Sequence, residues 1–322
     1  MTSARRKIKS KRNEWQGKEK GAPVPGPAYD PEKSEIGLLF LDSGAHSLYT
    51  RELMDKGHKE GYAFYDSDAF WHYVDEYAAF VKANEYAIDY YASVDAIFNP
   101  EKSWEVLKYL ENEHGLHPIP VIHWGTDIKW LKKHVEAGYE YIGLGGLGQE
   151  VSKRQYFEWA DKVYGYLCPS PSYLPIVKTH GFAMTSYELM FRYPWFSTDS
   201  ASWVKSGAFG KINMPRKKNG KFDFSREPIA VDVSYTATKI GRRSRHHVLA
   251  FSKAERAVVE EWLEYIGIPF GSVTEDNKVK EWGVSSYHSA RKIANLRFIQ
   301  EFLKAIPPWP WPFAIRSKAS FF

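Results

Sequence analysis

From residue 36 to residue 212, short apolar runs alternate with longer segments whose apolar residues recur every three or four positions. The runs lie at 36–41, 86–94, 119–123, 140–144, 173–178 and 195–198, with weaker candidates at 208–212 and 229–234. Between them the spacing predicts helices at 68–84, 101–114, 127–137, 152–166 and 183–192. In the first of these, Phe70, Val74, Tyr77, Phe80 and Val81 mark one apolar face. Asp127 follows a Gly-Thr pair and Ser152 precedes a polar turn, and both are helix-start signals. Alternation of this kind calls for a parallel sheet covered by helices. Up to eight strands fit a (β/α)8, TIM-like barrel, and a doubly wound open sheet is the alternative. A barrel with appendages accommodates a chain of 322 residues.

The appendages lie at both ends of the expected barrel, 35–235. Residues 1–34 lack apolar periodicity and contain GAPVPGPAYDP, which predicts a basic, flexible arm and linker. Residues 236–322 read as a helical extension packed on the barrel. One helix spans 252–266, opened by Ser252 and carrying Val258, Val259, Trp262 and Leu263; another spans 287–305 and stops before PPWPWP. No internal repeat is present.

Charge is unevenly distributed. The chain carries a formal +5, but residues 1–20 hold +6 and residues 205–245 hold +8, leaving −9 elsewhere. Two basic segments on an otherwise acidic protein point to nucleic acid, although residues 1–20 alone also fit a solubilising tail. An aromatic share of 16% suits stacking on bases or sugars, and equally an aromatic-rich core. The single cysteine, Cys168, leaves neither a disulfide framework nor a cysteine-based structural zinc site. With no apolar stretch of about 18 residues and no signal-peptide pattern, the chain is expected to be cytoplasmic, without a membrane partner.

Barrel enzymes work at the carboxyl ends of their strands. The residues expected there are Asp42, Asp95, His123, the Gly145–Gly146–Leu147 turn, Lys178 with His180, and Asp199. Singly, a strand-end Asp is more often a turn former or helix cap. Three carboxylates and two imidazoles converging on one mouth are more than stability requires. GLGGLG at 143–148 spells a dinucleotide fingerprint, but it falls in the fourth strand–helix unit and lacks a strand-ending acid about 20 residues on, although Asp161 is near. A tight turn, or a glycine floor against which a planar base lies, are the other readings.

The ordered series LDSGAHS, SVDAIFNP, PVIHWG, GLGGLG and FSTDSASW resembles the queuine/archaeosine tRNA-guanine transglycosylase family. That family is a (β/α)8 barrel that exchanges guanine in a nucleic acid for a 7-deazaguanine. Its Asp-Ser-Gly-Gly turn is similar to Asp42–Ser43–Gly44–Ala45, and its Asp with a following Pro to Asp95 and Pro100. Its Gln-Gly-Gly turn is similar to His123–Trp124–Gly125, with His in place of Gln, and its Gly-Gly-Leu turn to Gly145–Gly146–Leu147. Asp199 takes the place of its late strand-end nucleophile. The resemblance covers roughly residues 36–212. The family's Cys-x-Cys-x-x-Cys plus His zinc site is missing, so the chain looks most like the divergent, zinc-lacking phage and bacterial branch that inserts 7-deazaguanines into DNA to evade restriction.

The resemblance implies a pentosyltransferase that needs no cofactor and works through a covalent Asp–sugar ester, as retaining glycosidases do. Asp199 would be the nucleophile and Asp42 the general acid/base, with these roles exchangeable. Asp95 would accept from guanine N1–H and the 2-amino group, and His123 and the N–H groups near Gly146 would meet O6. Ser43, Gly44, Gly145, Leu147, Lys178 and His180 would complete the base site. The expected partners are guanine, a preQ0-type 7-deazaguanine and double-stranded DNA. The DNA would be held by Arg5, Arg6 and Lys7 of the arm and by Arg216, Lys217, Lys218, Arg242, Arg243 and Arg245 of the second basic segment. A phage-encoded chain would act in the host cytoplasm. Transfer to tRNA, a barrel glycoside hydrolase, a phosphate-binding lyase and an inactive nucleic-acid-binding barrel remain the alternatives.

Overall fold

The computed structural model describes residues 39–52, 63–146, 151–184, 186–235, 245–276 and 278–306. The arm at 1–34, and with it Arg5, Arg6 and Lys7, lies outside the described residues, as do Leu147, Arg242 and Arg243. The protein is a mixed α/β fold built on parallel strands, each followed by helix. β1 (Phe40–Leu41) leads into α1 (Ala45–Glu52) and α2 (Asp68–Asn84), and β2 (Tyr90–Tyr91) into α3 (Pro100–Asn112). β3 (Val121–His123) precedes α4 (Ile128–Glu136), and β4 (Tyr141–Gly145) precedes α5 (Lys153–Leu167). β5 (Lys178–Gly181) leads into α6 (Tyr187–Arg192), and β6 (Ser197–Thr198) into α7 (Ser202–Ala208). β3, β4, β5 and β6 form a parallel ladder in chain order; β1 and β2 form another, and a parallel bridge between Ala92 and Ile119 connects the two.

Helix starts follow the side chains that satisfy their free N–H groups. Ser67 caps α2, Asn99 caps α3 ahead of Pro100, Asp127 caps α4, and Ser152 forms a capping box with Gln155 on α5. On α2 the buried stripe is Phe70, Val74, Tyr77, Ala78 and Val81, while Phe80 is exposed. Phe80 stands ten residues from Phe70, and at about 100° per residue this turns it off the stripe.

The parallel sheet is rolled. At a strand spacing of about 4.8 Å, β1 and β5 would lie about 19 Å apart in a flat sheet. Instead the Phe40 ring stacks on His180 of β5 at 4.2 Å, and meets Phe182 at 5.9 Å and Tyr141 of β4 at 6.3 Å. Outside the roll, Tyr164 of α5 bonds Thr179 at 2.9 Å, within a core that also holds Ile142, Leu144, Tyr156 and Leu167.

Two of the expected strands behave otherwise. β7 (Lys211–Met214) and β10 (Ile229–Asp232) pair with each other antiparallel, in register Met214–Ile229. The 14 residues between them contain no helical crossover, which a parallel return needs. They form instead a hairpin of β8 (Arg216–Lys218) and β9 (Lys221–Asp223). Its two-residue turn, Asn219–Gly220, has φ of 52° and 76°, the left-handed pair that Asn-Gly adopts. The run at 173–178 is also displaced: β5 begins only at Lys178.

The chain continues through α8 (Lys253–Tyr265), the antiparallel pair β11 (Ser272–Val273) and β12 (Val279–Glu281), and α9 (His288–Ala305). α8 and α9 share a core with β7 and β10 that includes Ile212, Val231, Trp262, Leu263, Ala294 and Phe298. Buried Arg291 on α9 donates to the carbonyls of Gly207 and Val284 at 2.7 and 2.8 Å, tying α9 to the end of α7. Among the described residues no helix is long and apolar enough to cross a membrane.

Candidate active site

Parallel strands present successive carboxyl ends on one side of a sheet. Asp42 directly follows β1, Asp199 directly follows β6, and the loop after β2 carries Asp95. Asp199 reaches solvent, and its Oδ1 accepts the Ala183 N–H at 2.9 Å. His180 Nε2 lies 3.4 Å from the same oxygen. Burial pushes the Asp199 carboxyl up, but hydrogen bonds from His180 and Ala183 outweigh it and hold the group below its ordinary 3.8.

Asp42 answers to both readings of a strand-end acid. Its Oδ1 accepts the Gly44 N–H at 3.3 Å, closing an Asx turn that leads into α1. Gly44 is required there: its φ is +75°, and a Cβ would stand 2.6 Å from the hydroxyl of Tyr73, which itself donates to the Ser43 carbonyl at 2.6 Å. Crowding by protein pushes the Asp42 carboxyl above 3.8, against the Gly44 hydrogen bond, and the charges of Asp95 and Asp199 push it further. The two strand-end acids are thus electrostatically coupled and displaced in opposite directions, the pattern of an acid beside a permanent carboxylate.

These displacements have opposite consequences for stability. Asp199, held low, contributes stability above its ordinary value, and that contribution is lost as pH falls through the lowered one. Asp42, held high, favours the fold only while protonated, so its ionisation at neutral pH works against folding. Asp42→Asn keeps the acceptor for Gly44 and removes the charge. It should raise Tm at pH 7 by about 1–3 °C, with the gain vanishing below the ordinary carboxylate range. Thermal unfolding at pH 7 and pH 3.5 checks this, and an unchanged or lower Tm at pH 7 would contradict the crowding of Asp42.

Asp95 and His123, expected to contact a base separately, contact each other through Asp95 Oδ2 and His123 Nε2. Asp95 is buried and His123 half-buried. The glycine series is a floor, but one covered by the protein's own rings. A Cβ on Gly143 would strike the Phe182 ring at 2.5 Å, and one on Gly145 would stand 3.0 Å from the His123 ring. Gly146 forms the turn, at φ +97°, with its missing Cβ 2.7 Å from Trp124 N. Asp161, on α5, is engaged by Arg192 and Tyr193, which removes the nearby acid that a dinucleotide site would use.

Ser43 is buried beside Asp42. Lys178 does not join the site: it opens β5, at the end of the strand away from Gly181, and its Nζ lies 4.8 Å from the Phe196 ring centre. Among the expected nucleic-acid contacts, Arg216, Lys217 and Lys218 line the exposed strand β8, and Arg245 is exposed. Lys217 is paired with Glu261.

The residues that sequence reasoning missed are Tyr141, Ser197, Phe40 and Phe182, which surround His180. His180 Nδ1 lies 2.6 Å from Ser197 Oγ, and Ser197 Oγ is also hydrogen-bonded to the Tyr141 hydroxyl. The signal was present as alternation, since Ser197 and Asp199 are two residues apart at the end of one strand. Among the described residues no group of three or more His, Cys, Asp or Glu is placed to hold a metal ion. Cys168 is buried, and burial pushes its thiol up to about 12. Compared with family models, with curated proteins and with solved structures, the chain matches none.

Proposed function

We propose that the protein is a base-exchange transglycosylase that replaces guanine in DNA with a 7-deazaguanine, on a parallel sheet that closes into a (β/α)8 barrel. The observation that carries this is the coupled pair Asp42 and Asp199, at the carboxyl ends of β1 and β6, with one carboxyl held up and the other held down. A nucleophile works ionised, and a general acid works better the higher its carboxyl is held above the ordinary value.

The reaction is a double displacement. An Asp199 oxygen attacks C1′ of the target nucleotide, the C1′–N9 bond breaks, and Asp42 delivers its proton to the departing guanine. The 7-deazaguanine then enters, Asp42 takes its N9 proton, N9 attacks C1′, and the ester bond to Asp199 breaks. Configuration is retained and the strand stays intact. The N1–H and 2-amino edge of guanine matches both oxygens of a carboxylate. Binding therefore displaces His123 from Asp95 Oδ2, and the freed imidazole donates to O6. Adenine would leave the Asp95 charge unpaired. In duplex DNA the target base must leave the stack to reach these groups. A covalent protein–DNA adduct that survives denaturing electrophoresis, and that disappears on adding free guanine, is the expected test result. Strand breaks or free base without an adduct would contradict it.

The hairpin β8–β9 supplies basic charge for the phosphates. Arg216, Lys218 and Lys221 are exposed, whereas Lys217 is engaged by Glu261. Removing one cation that meets a phosphate should flatten the log–log dependence of DNA affinity on salt by about one unit. Replacing Arg216, Lys218 and Lys221 by Ala should therefore lower the slope by about two to three units, and Lys217→Ala by less. Equal slopes in all variants would exclude the hairpin from the interface. Exchange should also withstand strong chelators, and dependence on added zinc would contradict the cofactor-free assignment.

A further inference from the structure

We propose that His180 is a positioning residue for Asp199, at the end of a one-way chain of hydrogen-bond donors that begins at Tyr141 and passes through Ser197. This rests on the base-exchange reading, in which Asp199 is the nucleophile.

The direction of the chain follows from proton bookkeeping. A neutral imidazole has one N–H and one bare nitrogen. Placed 3.4 Å from Asp199 Oδ1, a bare Nε2 would set its lone pair against an anionic oxygen, so Nε2 carries the proton. Nδ1 is then the acceptor, and the hydroxyl 2.6 Å away, Ser197 Oγ, must donate to it. Having spent its proton, Ser197 Oγ accepts from the Tyr141 hydroxyl. Every donor in the series points toward the carboxylate.

The surroundings hold His180 in this orientation. The residue is 3% exposed, its ring stacked at 16° on Phe40 and edge-on to Phe182 at 4.6 Å. Rotation would collide with both rings. The titratable groups on this chain are Asp199 from the end of β6 and, through Ser197, Tyr141 from β4; Asp199 in turn acts on Asp42, as Asp95 does. The Ala183 N–H and His180 Nε2 both converge on Oδ1 of Asp199. Oδ2 is therefore the oxygen that attacks C1′, and the relay fixes both the rotamer and the ionisation of the nucleophile.

The test combines the Asp199 carboxyl titration, read by 13C NMR, with the pH profile of base exchange. Four proteins are compared: wild type, His180→Phe, His180→Gln and Tyr141→Phe. His180→Phe keeps the aromatic packing but removes the donor. It should raise the Asp199 titration, move the acid limb of the exchange profile to higher pH, and lower exchange by about 10²-fold. The Gln amide can donate to Asp199 and accept from Ser197, so His180→Gln should restore exchange to within about tenfold, with the acid limb back in place. Tyr141→Phe, remote from Asp199, should shift the titration in the same direction by less, and serves if His180→Phe does not fold. An unmoved Asp199 titration in His180→Phe and Tyr141→Phe, or equal losses in His180→Phe and His180→Gln, would overturn the relay. A shifted titration in a protein whose wild type exchanges no base would uphold the relay and defeat the base-exchange reading.

Discussion

Asp199→Asn should bind DNA with unchanged affinity and lose base exchange by about 10⁴-fold, the scale on which removal of a covalent nucleophile is felt. The amide has no anionic oxygen, so the ester with C1′ cannot form, yet its carbonyl can still accept from the Ala183 N–H and the His180 ring. Local geometry is thereby preserved, which separates the loss of chemistry from loss of fold. Exchange rates with labelled guanine, beside DNA affinities at one fixed salt concentration, check both halves. Exchange within tenfold of wild type would remove Asp199 from the nucleophile's role.

The largest effect on stability should come from Trp262. It is fully buried on α8 and packs against Phe222 of β9 at 5.4 Å and Phe298 of α9 at 6.3 Å. Truncation to Ala empties the centre of the core that α8 and α9 share with β7 and β10, at a cost of about 3–5 kcal/mol. Trp262→Phe should behave differently. The indole N–H is buried with no hydrogen-bond partner among the described residues, so its removal breaks no bond and relieves an unmet donor. Phe in that place should cost less than about 1.5 kcal/mol. Denaturant unfolding of the three proteins checks the contrast. A Phe variant as unstable as the Ala variant would show that the indole ring makes contacts beyond packing.

The sequence made the helices legible because two independent signals coincide at their starts. A 3.6-residue apolar stripe and a side chain able to cap the first turn fall together at Ser152 and Ser252, and the structure shows both as capping boxes. Strand ends were legible for the same chemical reason that makes them useful, since Asp42 and Asp199 close short strands with charge. β5 was not. Its residues Lys-Thr-His-Gly are polar because His180 faces the site, so hydrophobicity marked the preceding run instead. The hairpin at Asn219–Gly220 carried the turn signal, but charged flanks hid the strands. The Asp95–His123 contact and the Tyr141–Ser197–His180 relay cross between strands. Register decides such pairings, and register is a property of the folded sheet that linear spacing does not contain.

Base exchange into DNA without strand cleavage is tested by incubating the protein with labelled guanine in the presence of separate DNA and tRNA pools. Label should enter intact DNA, with none in tRNA, and none in DNA when Asp199→Asn replaces the wild type. Label in tRNA, or in neither polymer, would contradict it.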